Sequence, residues 1–251
     1  MRTRYFLMIL LAVVLLPCRG QVYELLPAEP YGGKYQLKQF ISETMYYPDQ
    51  ARKNKTQGTV TIAFHVSADG TVEHARIRHS LSPQTDAEAM RLFRYLLWQP
   101  ASARGADVDS EAKLEIDFKL RKYKRCVRQR GYDSLEYPYR PVDTSLRVYL
   151  SRQLDQSPSP VYDDGSKSFA EFILRNMKYP DAAVKQGISG TVELFFVIEP
   201  WGRISNVKVL EGVGAGCSEE ALRLPRLFSW MPGIKEGKAV RTEMQLSIPF
   251  N

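Results

Sequence analysis

The chain has 251 residues, a formal net charge of +7 and 44% apolar residues. These values exclude disorder over the whole length and leave room for one large domain or two small ones. The charge is local: Arg121, Lys122, Lys124, Arg125, Arg128 and Arg130 crowd into ten positions, so the total says little about a general field for polyanions.

The first twenty residues read as a targeting segment. Arg2 and Arg4 make a basic start, and Phe6 to Pro17 is an apolar run of twelve. A helix needs about 20 apolar residues to cross a bilayer, so this run suits the core of a signal peptide. Three outcomes stay open. Cleavage before Gln21 would follow the small residues Cys18 and Gly20; Leu15-Leu16-Pro17-Cys18 would allow lipidation of Cys18, although its proline fits that box poorly; and the segment could stay uncleaved as an anchor. Each sends the rest of the chain out of the cytoplasm. After cleavage Cys126 and Cys217 remain. An oxidising compartment permits a bridge, and two unpaired buried thiols are the plainer expectation.

From residue 33 the chain is one unit written twice. A shift of 132 positions lays Tyr47-Pro48-Asp49 on Tyr179-Pro180-Asp181 and Gly58-Thr59-Val60 on Gly190-Thr191-Val192 without a gap. It also lays Gly70 on Gly202, Glu88-Ala89 on Glu220-Ala221, Trp98 on Trp230, Pro100 on Pro232 and Gly105 on Gly237; 23 of the 72 positions from 47 to 118 are identical. A duplication follows, with modules over 33–120 and 165–251 and a segment 121–164 between them.

Taken in order, Leu37, Phe40, Ile41 and Met45 recur at helical spacing, as do Phe169, Phe172, Ile173 and Met177. Pro48 and Pro180 mark the first position of a second short helix. Val60, Ile62, Phe64 and Val66 alternate, as do Val192, Leu194, Phe196 and Ile198, and Asp69-Gly70 and Trp201-Gly202 supply hairpin turns. A change of parity between Ile204 and Val207 predicts a bulge in the returning strand. A helix over roughly 86–97 and 218–229 comes next, and Pro225 shortens or kinks the second version. Val108, Ala112, Leu114, Ile116 and Phe118 share one face of a last strand, matched by Val240, Met244, Leu246, Ile248 and Phe250. The fold class is α+β: each copy is a three-stranded antiparallel sheet whose apolar face helices cover. Units of roughly 75 residues bury little surface alone, which favours packing of one copy on the other.

Residues 121–164 read as a linker, with the basic cluster solvated, Ser157-Pro158-Ser159-Pro160 extended and one short helix over Thr144–Leu154. Contact of the cluster with anionic headgroups or another acidic surface is the sharper alternative.

Little here carries catalysis. His65, His74 and His79 fall on one hairpin of the first copy at spacings that do not gather ligands, so neither a metal nor a cofactor is expected. Gly212-Val213-Gly214-Ala215-Gly216 lacks the lysine and hydroxyl of a phosphate loop. Asp86, Glu88, Glu219 and Glu220 suit the first turn of a helix, while Tyr47, Tyr179, Trp98 and Trp230 suit the core. Basic residues and aromatics are not interleaved on one surface, so nucleic acid is not an expected partner.

Tyr-Pro, Gly-x-Val, a turn glycine, a Glu-Ala helix, Trp-x-Pro, Gly-Lys-x-Val and a closing Phe together resemble the C-terminal domain of TonB. The second copy has the fuller pattern: Tyr179-Pro180, Gly190-Thr191-Val192, Glu220-Ala221-Leu222, Trp230-Met231-Pro232-Gly233 and Gly237-Lys238-Ala239-Val240. The first keeps Trp98-Gln99-Pro100 but has Arg104-Gly105-Ala106 in place of Gly-Lys.

The resemblance implies a non-enzymatic periplasmic domain that captures short segments of TonB-dependent outer-membrane receptors. Physically this is strand addition at a sheet edge. The expected edge is Arg241, Thr242, Glu243, Met244, Gln245, Leu246, Ser247 and Ile248, and Pro249 limits its run. The first copy's equivalent face carries Glu111, Lys113, Glu115 and Asp117, and charge on an edge discourages pairing, so the second copy is the expected binder. The family's energy transducers carry a transmembrane anchor with a histidine and a long proline-rich spacer. Neither is seen here, which shifts the implied role from driving transport to binding. An envelope assembly module that self-associates through the same edges is the alternative, and an energy transducer would require an uncleaved N-terminus.

Overall fold

The structure is a computed structural model and describes residues 25–251. The targeting segment, Cys18 included, lies outside the described residues. The first copy runs α1 (Gly33–Thr44), α2 (Asp49–Lys53), β1 (Gly58–Val66), β2 (Val72–His79), α3 (Pro83–Arg94) and β3 (Ser110–Phe118). After α4 (Leu120–Arg130) and the two-residue β4 (Val148–Tyr149), the second copy runs α5 (Phe169–Asn176), α6 (Asp181–Gln186), β5 (Gly190–Ile198), β6 (Ile204–Glu211), α7 (Cys217–Arg223), β7 (Gly233–Lys235) and β8 (Lys238–Phe250).

The alternating residues set the register of both sheets. β1 lies between β2 and β3, and β5 between β6 and β8, all antiparallel. Val60 faces Ile116 and Ile62 faces Leu114; Val192 faces Ile248 and Leu194 faces Leu246. With period 2 along each strand, these apolar residues fall on one side, where Phe40, Ala89, Leu92 and Trp98 close the first core and Phe172, Ala221, Leu224 and Trp230 the second.

Local chemistry moves several boundaries. α3 begins at Pro83 because Ser82 caps it: Ser82 Oγ accepts the Thr85 N–H and the Ser82 N–H donates to Thr85 Oγ1. α7 stops at Arg223 and passes into a 3-10 turn, Leu224–Arg226, that accommodates Pro225. Pro48 and Pro180 sit one residue earlier than expected, as N-caps of α2 and α6. The turn glycines Gly70 and Gly202 have φ of +83° and +76°, and a Cβ there would lie 2.8 and 2.6 Å from the carbonyl oxygens of Trp98 and Trp230. The hairpin turn and the Trp-x-Pro strand therefore depend on each other.

The segment 121–164 differs from the expected linker. Leu120, Tyr123 and Val127 make an apolar stripe, so the basic cluster forms a helix whose Tyr123 is buried in the first core while Arg121, Lys122, Lys124, Arg125 and Arg128 stay in water. Val148–Tyr149 forms β4 rather than part of a helix, because it finds backbone partners at Arg241 and Thr242. Ser159–Val161 is extended as its prolines dictate, but it pairs with Ser229–Met231.

The copies dock unequally. Trp201, at the hairpin turn of the second copy, enters the core of the first and meets the rings of Tyr95 and Tyr137 at 5.1 and 6.4 Å. Arg226 donates to Gln36 Oε1 at 2.6 Å and to the Glu43 carboxylate at 3.1 Å. Tyr31 packs edge-on against Phe195.

Candidate functional site

β8 is covered along its first part and open along its last. Its inner side pairs with β5 from Thr242 to Phe250. Lys238 to Val240 continue into the β7 hairpin on that same side, while on its outer side Ala239 pairs with the 141–143 segment and Arg241 and Thr242 pair with β4. From Glu243 onward no further strand flanks it among the described residues. The expected edge of Arg241 to Ile248 therefore narrows to Glu243, Met244, Gln245, Leu246, Ser247 and Ile248. Gln245 and Ser247 are exposed, Met244 and Leu246 are half-buried against the core, and Ile248 is buried.

Arg241, expected on the outward face, is buried for a different purpose. Its guanidinium pairs with the buried Glu199 carboxylate at 2.8 Å, donates to the Leu146 carbonyl at 3.0 Å and reaches the Tyr95 carbonyl at 2.7 Å. Tyr95 ends α3, so the cation meets the negative end of that helix and one of its unpaired carbonyls. Asn206 works beside it, accepting the Leu97 N–H at 2.7 Å and donating to the Tyr95 carbonyl at 2.9 Å. It reaches them because the predicted bulge falls there, with φ of +51°. The matching bulge residue of the first copy, His74 at φ +54°, projects into solvent.

The corresponding edge in the first copy is chemically different. Lys113 pairs with Glu115 at 2.9 Å and Lys119 with Asp117 at 3.0 Å. Thr59 and then Lys119 hold the Asp117 carboxyl below the usual carboxylate range, against the opposing effect of burial. α1 and α4 wall a groove that includes Glu115 and Asp117, so α4 stands beside that edge.

The motif residues shared by both copies build the framework. Tyr47 and Tyr179 donate their hydroxyls to the Thr56 and Ile188 carbonyls. Gly58 and Gly190 open the central strands, where a Cβ would strike Leu81 and Val213. Trp98 and Trp230 are buried against Phe64 and Phe196; Pro100 and Pro232 follow them, with Pro232 buried, and Gly237 turns β7 into β8. Glu88 and Glu220 are buried clamps; Glu220 lies in the first turn of α7 as expected, whereas Glu88 falls in the second turn of α3, where Asp86 alone is the first-turn acid. Glu88 accepts the Tyr46 N–H and pairs with Arg91, which donates to the Thr44 carbonyl. Glu220 does the same with Lys178, Arg223 and the Asn176 carbonyl.

Cys126 and Cys217 are free thiols on α4 and α7. Among the described residues, no group of three or more His, Cys, Asp or Glu side chains can hold a metal, and no helix is long and apolar enough to cross a membrane.

A family model, Gram-negative bacterial TonB protein C-terminal, matches residues 43–120 and 175–251. The chain is similar to a solution NMR structure of the Pseudomonas aeruginosa TonB CTD at 25% identity, over 38% of this chain and 85% of that one, with a TM-score of 0.28. No curated protein matches it.

Proposed function

The chain belongs to the TonB C-terminal family, and we propose that it is a periplasmic binding protein of outer-membrane receptor-mediated transport. The family's domain engages outer-membrane receptors and other envelope proteins. In this chain an extended receptor segment would add as a strand along Glu243 to Ile248. The observation that carries the reading is the open outer side of β8. Backbone N–H and C=O groups at a sheet edge supply affinity to an extended peptide, and alternate side chains supply selectivity. At about 3.4 Å per residue, the open stretch takes a peptide of about six residues. Pro249 ends it because proline has no N–H to offer.

The second copy is favoured over the first by charge. Four ionised side chains line Glu111 to Asp117, whereas Gln245 and Ser247 present neutral groups beside Glu243. Titration of the full chain with peptides from receptor N-terminal segments tests the reading. Saturable binding is expected, with charges introduced at Gln245 and Ser247 weakening it more than reversals at Glu111 and Asp117. No binding, under conditions where another family member binds the same peptides, overturns receptor capture. Equal weakening at both edges overturns the choice of copy.

A further inference from the structure

α4 shows what one face of this module accepts. It lies across the end of α1 and Tyr47, with Leu120, Tyr123 and Val127 turned inward. The Tyr123 ring meets Tyr47 at 5.4 Å. Arg130 donates to the Ser42 and Met45 carbonyls at 3.1 and 2.9 Å, the Tyr132 hydroxyl donates to the Glu43 carbonyl, and Arg52 bonds to Asp133. Under this cover Met45 and Tyr47 are buried.

Among the described residues, nothing covers the same face of the second copy, and it is more apolar. The shift of 132 places Leu174 at the position of Ser42, Met177 at Met45, Tyr179 at Tyr47 and Val184 at Arg52. Leu174 is 86% exposed and Val184 64% exposed, and Met177 and Tyr179 are only half-buried. Where the first copy has Ser42, whose carbonyl accepts from Arg130, and Arg52, bonded to Asp133 just beyond α4, the second has two large apolar side chains in water.

We propose that Leu174, Met177, Tyr179 and Val184 form a docking site for an amphipathic helix of a partner protein, with the chemistry of α4. Such a helix carries an aromatic residue in the middle of its apolar stripe and an arginine seven positions later, placed to meet the carbonyls of residues 174 and 177. The chain's own α4 is not the occupant, nor is that of a second copy. Lys119 alone separates it from β3, so it cannot leave without pulling the sheet edge with it. The site is separate from the β8 edge and goes beyond the capture of an extended segment there.

A peptide with the sequence of residues 119–133, carrying Cys126→Ser, is the probe, titrated into the full chain at ~0.15 M salt, where the screening length is about 8 Å. Saturable binding is expected, with amide shifts over 174–184. Leu174→Glu and Val184→Glu each weaken it at least tenfold. Leu210→Glu, at an exposed apolar residue elsewhere in the second copy, leaves it within twofold, and Tyr123→Ala in the peptide weakens it tenfold. Absence of saturable binding overturns the proposal, as does equal weakening by Leu210→Glu. A dimer of the unliganded chain that Leu174→Glu dissociates overturns it too, making the face a self-association surface. Near-UV circular dichroism reports whether each variant keeps its packing, and retained binding of extended peptides by Leu174→Glu separates this site from the β8 edge.

Discussion

Arg241 and Glu199 form a buried ion pair, 2.8 Å apart, and the same guanidinium reaches 2.7 Å across the module boundary to the Tyr95 carbonyl. Both side chains are at most 3% exposed, so neither charge tolerates loss of its partner. Removing one member of such a pair costs about 3–5 kcal/mol, whereas replacing both with apolar groups is often neutral. Arg241→Met is expected to destabilise by that amount in urea unfolding, and Glu199→Met with Arg241→Met to recover most of it. A single substitution costing under ~1 kcal/mol would mean that the pair is open to water.

Asn206 and His74 occupy the same bulge in the two copies, but only Asn206 bridges the modules. Asn206→Ala leaves the Leu97 N–H and a share of the Tyr95 carbonyl without a partner, at about 1–3 kcal/mol. His74→Ala should fall within about 0.5 kcal/mol of the parent, as exposed substitutions do. Chemical denaturation of the two variants side by side decides it; equal costs would assign the loss to bulge geometry instead of the bridge.

The duplication made most of each module legible, since two copies in one register report the same helices and strands. The docking was legible only as a pattern of differences. Ser67, Asp69, Glu73, His74 and Asp109 become Glu199, Trp201, Ser205, Asn206 and Arg241, and all five of the latter are buried. An aromatic replacing an aspartate at a hairpin turn was the strongest of these signals. Their partners include the Tyr95 carbonyl and the Leu97 N–H, backbone groups that no side-chain pattern reveals. For the same reason the extent of the open edge was hidden: two residues, Val148 and Tyr149, decide that Arg241 and Thr242 are covered. In α4 the stripe of Leu120, Tyr123 and Val127 stands at helical spacing, but the crowded cations around it are equally the pattern of a solvated segment.

The two described cysteines should differ in reactivity. Cys217 has no exposed surface, and burial, followed by the nearby Glu219 charge, pushes its thiol up from its ordinary value, while Cys126 is partly exposed. The thiolate is the reacting species, so Cys126 should alkylate at least tenfold faster in the native protein, with Cys217 modified only on unfolding. Peptide mapping after a timed iodoacetamide pulse measures both rates. Comparable rates would show that the second core opens readily.

Glu220 and Glu43 should give opposite pH dependences. For Glu220, burial raises the pKa, but the Arg223 hydrogen bonds and the Lys178 N–H outweigh it, and the net shift is downward from 4.5. A carboxyl depressed in the folded state contributes stability that is present above its unfolded value and lost as pH falls through the folded value. For Glu43, burial outweighs Arg226 and the net shift is upward. Its contribution is fully present below the unfolded value and fades as pH rises through the folded one. Glu220→Gln should therefore cost about 1.5–3 kcal/mol at neutral pH, in the range of a hydrogen bond to a charged group, and little near pH 3. Glu43→Gln should be neutral or stabilising at neutral pH. Unfolding free energies of both variants across that span test the signs. A Glu220→Gln cost that does not shrink in acid would mean that the clamp holds by shape and not by charge.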